Sequence, residues 1–308
     1  MHAAPIIDDI ERASSLLRAG GLVAMPTETV YGLAADATDP DAIARIYAVK
    51  GRPTGHPLIV HVADPDDVLE LVGELPDAAR ALGAAAWPGP ITVIVPRPVS
   101  LPADVAGGLD TVGIRVPAHP MARHLIRVAG VPVAAPSANL FGSVSPTTAQ
   151  HVAADLGERL DAERDAILDG GPCDVGVEST IVDTVASPPQ ILRAGAITAE
   201  QVSELLGSVA APSGPSRASG MLASHYAPDC AVHLADDEAE AQRLLDEFSS
   251  ARVLDARDGL VQVARDLYAD LRRADAEGVD HLIAILPPAA GLGHAIRDRL
   301  QKAAAPRP

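Results

Sequence analysis

Short runs of apolar and β-branched residues alternate along the chain with longer stretches whose apolar positions recur at helical spacing. The short runs predict strands at Leu22–Pro26, Pro57–Val62, Ile91–Val95, Thr111–Val116, Pro132–Pro136, Ala166–Leu168, Ser179–Asp183 and Gln190–Arg193. The longer stretches predict helices at Ile10–Ala19 and at residues 41–49, 66–72, 76–86, 119–129, 146–156 and 198–206. Such alternation is typical of a mixed α/β domain.

The pattern changes between residues 207 and 228, where proline, glycine and serine accumulate as they do in linkers. Beyond this stretch the alternation resumes, with strands at 230–234, 251–255 and 281–286 and helices at 236–248, 259–277 and 293–302. Three strands joined by helices predict a small parallel, Rossmann-like sheet. We therefore divide the chain into an N-terminal domain (1–206), a linker (207–228) and a C-terminal domain (229–308).

The length and composition agree with two folded domains. The chain has 308 residues, of which 48% are hydrophobic and 21% charged. Its formal net charge is −17 and it has no evident run of basic residues, so we expect no stable binding of nucleic acid. A local basic cleft in such an acidic chain would suit a small anion better than a polynucleotide.

Several site classes are disfavoured. The two cysteines, Cys173 and Cys230, stand far apart, which argues against a zinc site or a disulfide framework. The chain has no P-loop motif, no complete G-x-G-x-x-G and neither the zincin nor the α/β-hydrolase signature. The N-terminus has no signal-type apolar run and no stretch reaches transmembrane length, so we expect a cytoplasmic protein without membrane contacts.

Lys50 is unusual because the only other lysine among the 24 basic side chains is Lys302. It ends a predicted helix and begins the sequence Lys50-Gly51-Arg52-Pro53. A lysine ammonium and an arginine guanidinium side by side can grip a polyphosphate from two directions. The other interpretation is a solvent-facing cation that offsets the helix dipole and contributes little to stability.

Three further polar residues are found within or beside predicted strands. Thr29 lies in a turn of threonines and a glutamate, His61 ends an apolar strand, and Arg115 lies inside another. A charge within an apolar strand needs a partner, because burying it unpaired is costly. For Arg115 that partner is either an acidic side chain or the carboxylate of a substrate.

The segment 134–147 follows a predicted strand and is rich in small residues, which let a ligand approach the backbone. Ser137, Asn139 and Ser145 can donate hydrogen bonds to phosphate oxygens. Ser145 also precedes Pro146 in a typical helix start, and a helix N-terminus attracts anions. Capping alone would also explain Ser145, and a turn would explain Asn139. Two later strand-like segments, around Thr180 and Arg193, have polar residues at their ends.

Together these segments resemble the Sua5/YrdC family, the threonylcarbamoyl-AMP synthases. The matching stretches are PTETVYGL (26–33), KGRP (50–53), PLIVHV (57–62), WPGPIT (87–92), GIRVP (113–117), APSAN (135–139), SPT (145–147), ESTIVD (178–183) and ILRAGAIT (191–198), with SHYAP (224–228) and GLGHAI (291–296) resembling the linker and C-terminal domain of the two-domain Sua5 branch. The resemblance implies a YrdC-like twisted mixed α/β catalytic domain with a concave cleft, followed by a small Rossmann-like parallel α/β domain.

The resemblance also implies a reaction. L-Threonine, bicarbonate or CO₂, and ATP with Mg²⁺ would give L-threonylcarbamoyladenylate and pyrophosphate, and a tRNA threonylcarbamoyltransferase complex would use the product downstream. By position, the nucleotide would be held by Lys50, Arg52, Ser137, Asn139, Ser145, Arg193 and Tyr226, with Lys50 and Arg52 as the catalytic pair and Tyr226 closing over the cleft. Threonine would be held by Thr29, His61, Arg115 and Thr180. No metal ligand is assigned.

Two positions depart from the family pattern, His56 and Ala135, where asparagine and threonine are common. The loss of a threonine hydroxyl at position 135 removes one contact to the amino acid. Three other functions are weighed: a double-stranded RNA-binding module, which the net charge disfavours; a hydrogenase-maturation carbamoyltransferase, which the two isolated cysteines disfavour; and a non-catalytic nucleotide sensor.

Overall fold

The structure is a computed structural model that describes residues 3–213, 218, 220–221 and 225–306. Residues 214–217, 219 and 222–224 of the predicted linker lie outside the described residues. The strands are β1 (Ile6–Ile7), β2 (Val23–Met25), β3 (Gly32–Asp36), β4 (Ile59–His61), β5 (Ile91–Pro96), β6 (Thr111–Arg115), β7 (Val133–Ala134), β8 (Ala166–Leu168), β9 (Thr180–Asp183), β10 (Gln190–Arg193), β11 (Ala231–Ala235), β12 (Ala251–Asp255) and β13 (His281–Ile285).

The described helices lie close to the predicted positions. They are α1 (Ile10–Arg18), α2 (Pro40–Lys50), α3 (Pro65–Val72), α4 (Asp77–Ala86), α5 (Pro120–Ala129), α6 (Ala149–Leu156), α7 (Ala199–Leu206), α8 (Glu238–Glu247), α9 (Leu260–Ala276) and α10 (Gly293–Ala304), with a 3₁₀ turn at Ala103–Ala106. Side-chain caps explain several starts: the Asp39 carboxylate, for example, accepts from the amides of Asp41 and Ala42 at the start of α2. No described helix is long and apolar enough to cross a membrane.

The N-terminal strands form one mixed sheet of ten strands in the order β1-β8-β2-β3-β7-β4-β6-β5-β9-β10. Parallel and antiparallel pairs both occur: β4 and β6 run parallel, whereas β6 and β5 run antiparallel. The sheet brings polar residues from distant parts of the sequence together; His61 pairs with Arg115 in the β4–β6 register. The predicted mixed α/β fold is confirmed.

The C-terminal strands form a separate three-stranded sheet in the order β11-β13-β12, and both pairs are parallel. This confirms the prediction of a small parallel sheet with crossover helices. One hydrophobic cluster unites its helices with the N-terminal part, since it contains Val30, Val144 and Val177 together with Leu267 and Leu271. The C-terminal sheet and helices therefore share buried apolar surface with the large sheet.

Two expectations about local structure are wrong. Strand β3 was not predicted, because its sequence Gly-Leu-Ala-Ala-Asp has low strand propensity; pairing with β2 and β7 on its two sides overrides that preference. Helix α6 begins at Ala149 and not at 146, with Thr148 as its cap. The carbonyls of Pro146 and Thr147 instead accept from the amides of Tyr31 and Cys173, which keeps this stretch out of the helix. Ser145 therefore lies before the helix and does not cap it.

Candidate active site

A small buried cavity lies above the ends of several strands of the large sheet. Its wall consists of Thr29, Val30, Arg52, Ile59, His61, Arg115, Ala135, Pro136, Ser137, Glu178, Ser179, Arg193, Gly220, His225 and Tyr226. The volume is about 40 Å³, which is room for a few water molecules. Gly220, His225 and Tyr226 come from the predicted linker, so this segment closes the cavity on one side.

One end of the cavity, here called the Arg115 end, is built around an ion pair between Arg115 and Glu28. Arg115 Nη2 donates to Glu28 Oε1 at 2.6 Å and to Thr29 Oγ1 at 2.9 Å. Both charged side chains are nearly fully buried, and the other carboxylate oxygen of Glu28 accepts from the amide of Ala118 at 3.1 Å. The Nε atom of Arg115 is buried and has no hydrogen-bond partner among the described residues.

His61 lies beside Arg115 on the neighbouring strand. Its ring Nδ1 is 3.1 Å from the carbonyl oxygen of Ile59. Burial and the nearby Arg115 charge lower its pKa to about 3, so the imidazole is neutral at physiological pH. A neutral ring at this position offers a hydrogen bond without adding positive charge.

The other end, here called the Arg193 end, contains Arg193, Glu178 and Ser179. Arg193 Nε and Nη2 donate to the carbonyl oxygen of Ser179 at 3.1 and 2.9 Å, and Nη2 also donates to its hydroxyl at 3.0 Å. Arg52 reaches the same cavity from the loop after α2, and its Nη2 donates to the carbonyl of Pro57 at 3.0 Å. Burial lowers the Arg52 pKa to about 10, which leaves the guanidinium charged at neutral pH.

Glu178 is a buried carboxylate in the wall of the Arg193 end. Burial alone would raise its pKa, but Arg299 and Arg193 outweigh this effect and lower the pKa to about 2. Its oxygens accept from Ser145 Oγ at 2.7 Å, from Tyr268 at 2.9 and 2.7 Å, and from Arg299 Nε at 2.8 Å. Tyr268 and Arg299 belong to α9 and α10, so the C-terminal helices contact the wall of the cavity directly.

Tyr226 covers the Arg193 end from the linker. It is 1% exposed and its φ is +62°, a left-handed backbone conformation that residues other than glycine rarely adopt. Its ring packs edge-to-face on His225, with 4.2 Å between the centroids. Burial lowers the pKa of His225 to about 3, so this ring is also neutral in the closed cavity.

Comparisons with known proteins place the whole chain. Residues 15–195 match the Sua5/YciO/YrdC family, whose description is "Telomere recombination", and residues 197–305 match the family described as "Threonylcarbamoyl-AMP synthase, C-terminal domain". A threonylcarbamoyl-AMP synthase of Bacillus subtilis is 42% identical over 97% of this chain and 93% of its own length, and one of Pyrococcus abyssi is 38% identical over 96% and 93%.

The chain belongs to the threonylcarbamoyl-AMP synthase family. The crystal structure of P. abyssi Sua5 complexed with L-threonine superposes with a TM-score of 0.90, at 36% identity over 96% of this chain and 94% of that one. The family assignment and the fold made from the sequence are thereby confirmed.

The structure of this family member brings most of the predicted site residues into one cavity. Those in its wall are Thr29, Arg52, His61, Ser137, Arg115, Arg193 and Tyr226. Four others lie outside the wall: Lys50, Asn139, Ser145 and Thr180.

The expectation that Lys50 faces solvent is wrong. Its side chain is buried, and Nζ donates to the carbonyl oxygens of Ser137 and Asn139 at 2.6 and 2.5 Å. Burial, with the charge of Arg52 as a smaller cause, lowers the Lys50 pKa well below its usual value. Lys50 thus holds the segment 137–139, which contributes Ser137 to the cavity.

The remaining three residues outside the wall are hydrogen-bonded within this synthase fold. The side-chain nitrogen Nδ2 of Asn139 donates to the carbonyls of Leu140 and Ser143. Thr180 Oγ1 donates to the carbonyl of Ile197. Ser145 donates its proton to Glu178. Their assignment to ligand binding stays a prediction.

Sequence reasoning missed three polar residues of the cavity wall, Glu178, Ser179 and His225. It also missed Glu28, the buried partner of Arg115. Two of these had a usable signal. Glu28 stands between two threonines of the PTETVYGL stretch, and His225 precedes Tyr226. Glu178 begins the ESTIVD stretch, but nothing local indicates that Tyr268 and Arg299 hold it, because they lie 90 and 121 residues away in the sequence.

Proposed function

We propose that this chain condenses L-threonine, bicarbonate or CO₂, and ATP to L-threonylcarbamoyladenylate and pyrophosphate. The observation that carries the proposal is the pairing of two cationic ends in one cavity, Arg115 at one end and Arg52 with Arg193 at the other. Threonylcarbamoyl-AMP synthases cover nearly the whole chain among its relatives, which supports the same reaction here.

The Arg115 end suits the amino acid. Arg115 lines the cavity, and its Nε group is buried and without a partner among the described residues, so a carboxylate that reaches this group could accept a hydrogen bond from it. Thr29 and neutral His61 stand beside it and can contact the side-chain hydroxyl or the amine. The P. abyssi structure, which contains L-threonine, supports this choice of substrate.

The Arg193 end suits the nucleotide. Arg52 and Arg193 bring two guanidinium groups to a low-dielectric cavity, where they stabilise the charge that grows on the phosphoryl oxygens and on the leaving pyrophosphate. The described residues include no group of three or more histidine, cysteine, aspartate or glutamate side chains that could hold a metal ion. We expect Mg²⁺ to enter with ATP, held mainly by its phosphates, as is common for this ion.

The chemistry needs alignment and no covalent protein intermediate. The threonine ammonium loses a proton, and the amine attacks bicarbonate with release of water or attacks CO₂ with loss of a second proton. Either route forms a carbamate. A carbamate oxygen then attacks the α-phosphorus of ATP, and the bond to pyrophosphate breaks. Holding the two reactants in one small cavity makes this second step effectively unimolecular.

The closed cavity implies a moving linker. The cavity has room for only a few water molecules, and His225 and Tyr226 form part of its wall, so we expect the segment that carries them to withdraw when ATP and threonine bind. Once closed, it excludes water from a mixed anhydride that would otherwise hydrolyse.

The product would serve a tRNA threonylcarbamoyltransferase complex, which transfers the threonylcarbamoyl group to adenosine in tRNA. We place the reaction in the cytoplasm, where tRNA is modified, and expect no stable binding of nucleic acid by this chain because of its net charge of −17.

The test is pyrophosphate release from MgATP with each of the twenty amino acids, with and without bicarbonate. Release that requires both threonine and bicarbonate supports the proposal. ATP binding without turnover would favour a nucleotide sensor. Tight RNA binding that weakens steeply with salt and consumes no ATP would favour an RNA-binding module.

A further inference from the structure

Two side chains of the C-terminal helices contact the catalytic cavity through one carboxylate. The Tyr268 hydroxyl of α9 donates to Glu178 at 2.7 and 2.9 Å, and Arg299 Nε of α10 donates to it at 2.8 Å. Both side chains are fully buried, and Arg299 Nη2 also donates to the carbonyl of Ala194 at 2.9 Å. Neither residue lines the cavity, so neither is placed to touch a substrate.

The carboxylate they hold is connected to the groups proposed for the nucleotide. Glu178 accepts the proton of Ser145 and directly precedes Ser179, whose carbonyl and hydroxyl hold the guanidinium of Arg193. A shift of Glu178 would therefore displace Ser179 and change the direction in which Arg193 points.

The same two residues also support the linker. The Tyr226 ring stacks on Tyr268, with centroids 5.7 Å apart and 30° between the planes. The guanidinium carbon of Arg299 lies 5.0 Å from the centroid of the Tyr226 ring, within cation–π range. Tyr226 in its closed position thus rests on α9 and α10.

Simple domain docking is a different role, and the chain contains a contact that serves it. Arg272, one turn after Tyr268 on α9, forms a two-pronged ion pair with Asp155 of α6, with Nη1 at 2.9 Å and Nη2 at 2.6 Å. This pair joins the C-terminal helices to α6 of the large domain, and Arg272 Nη2 also donates to the carbonyl of Val144. Neither Arg272 nor Asp155 lines the cavity. Docking by Arg272 and positioning by Tyr268 and Arg299 can therefore be separated by mutation.

We propose that Tyr268 and Arg299 are positioning residues for the nucleotide: they fix Glu178, and through it Arg193, and they provide the surface on which Tyr226 closes. The C-terminal domain is then a functional part of the active site. This inference rests on the proposed function, because it assigns the Arg193 end to ATP.

The test compares Tyr268→Phe and Arg299→Met with Arg272→Met in the full-length enzyme. ATP and threonine KM values come from pyrophosphate release, ATP affinity from isothermal titration calorimetry, and stability from thermal unfolding. Tyr268→Phe keeps the buried ring and loses one hydrogen bond to a charged group, so we expect the ATP KM and Kd to rise about tenfold. The threonine KM should stay within a factor of two of wild type, by the additivity expected of separate sites.

Arg299→Met and Arg272→Met remove the same group from neighbouring helices, and each removes the ion-pair partner of one carboxylate of the large domain. Both should lower the melting temperature, but only Arg299→Met should weaken ATP binding. If Arg299→Met does not fold, the comparison of Tyr268→Phe with Arg272→Met still decides the matter.

A double-mutant cycle checks the route. In a Glu178→Gln background the added Tyr268→Phe change should alter the ATP Kd by less than about twofold, because its carboxylate acceptor is already lost. Unchanged ATP affinity in Tyr268→Phe, an equal loss in Arg272→Met, or full additivity with Glu178→Gln would each overturn the inference. The ATP binding measurements do not depend on turnover. If the wild-type enzyme binds ATP but releases no pyrophosphate with threonine and bicarbonate, the proposed function is wrong. The ATP affinities of the variants still test the inference in that case.

Discussion

Two buried glutamates support the cavity, Glu178 in its wall and Glu28 as the partner of Arg115. They are held in different ways. Glu28 accepts from Arg115 of the large sheet and from the amide of Ala118, and both partners belong to the N-terminal domain. Glu178 pairs with Arg299, 121 residues further along the chain, in the C-terminal domain. The Arg115 end is thus complete within the large domain, whereas the Arg193 end is assembled only when the C-terminal helices pack against it.

The difference assigns separate sensitivities to the two substrates. Disturbing the contact between the domains should weaken ATP binding and spare threonine. Disturbing the Arg115 pair should do the reverse.

The largest effect should come from Gly176→Ala. Gly176 packs on α9 so closely that a Cβ atom would lie 2.3 Å from the carbonyl oxygen of Arg265 and 2.4 Å from that of Ala264. The methyl group would push α9, with Tyr268, away from Glu178, and we expect a loss of about 3 kcal/mol in unfolding free energy and a rise in the ATP KM. Denaturant unfolding and steady-state kinetics measure both.

Gly278→Ala is the matched control. It has a similar positive φ, +68° against +78°, but open space around the new atom. It should cost only the backbone strain, about 1 kcal/mol. Equal losses in the two variants would mean that the close contact with α9 does not matter.

An effect of similar size should appear in acid, at the Arg193 end. Glu178 has a folded pKa of about 2 against an ordinary value of 4.5. Its contribution is therefore fully present above pH 5 and is lost as the pH falls from about 5 to 2, amounting to about 3 kcal/mol. The difference in unfolding free energy between wild type and Glu178→Gln, measured in urea at several pH values, should shrink over this range. A difference that stays constant with pH would contradict the lowered pKa.

Arg115→Lys tests the other end. A lysine keeps the charge that Glu28 needs but cannot also present Nε to a second carboxylate. We expect the threonine KM to rise by roughly 10- to 100-fold, because hydrogen bonds between charged groups contribute about 1.5–3 kcal/mol, while the ATP KM changes little. Arg127→Lys, in an ion pair with Asp64 outside the cavity, is the control. A parallel loss of ATP affinity would show that the two ends are not independent.

The smallest effect concerns the linker. His225 has a folded pKa of about 3 against an ordinary 6.5, so the closed position is favoured above pH 6.5 and loses stability as the pH falls towards 3. A pH of 5.5 is one unit below the pKa of His225 in the open state. At this pH we expect the equilibrium constant for closure to fall by up to about tenfold. The ATP KM should rise more steeply with acid in wild type than in His225→Gln. Protonation of ATP affects both enzymes equally, so the difference between them reports His225. Identical pH profiles would separate His225 from closure.

How far the sequence predicts this molecule depends on how local the cause is. Strands such as β5 and β8 and the small parallel sheet follow from runs of apolar residues, and they are where the pattern places them. Strand β3 is a case of the opposite kind, because its glycine and alanine residues are extended only through pairing on both sides.

The site shows the same division. Motifs near the strand ends indicated Arg52, Arg115 and Arg193, and all three line the cavity. The burial of Lys50 could not be predicted from its position at a helix end, since it results from carbonyl groups almost 90 residues away. The role of Glu178 in the architecture was equally hidden, because it depends on helices of the other domain.

The scarcity of lysine has a practical consequence. Lys50 is 2% exposed, and the side chain of Lys302 is mostly covered. The lowered pKa of Lys50 results mainly from burial and is largely lost when the side chain is exposed, so access to the amine controls its reactivity. An amine-directed labelling reagent should therefore react slowly with both lysines of the folded protein. The rate at Lys50, measured by mass spectrometry, would report how often the segment 137–139 moves away from its side chain.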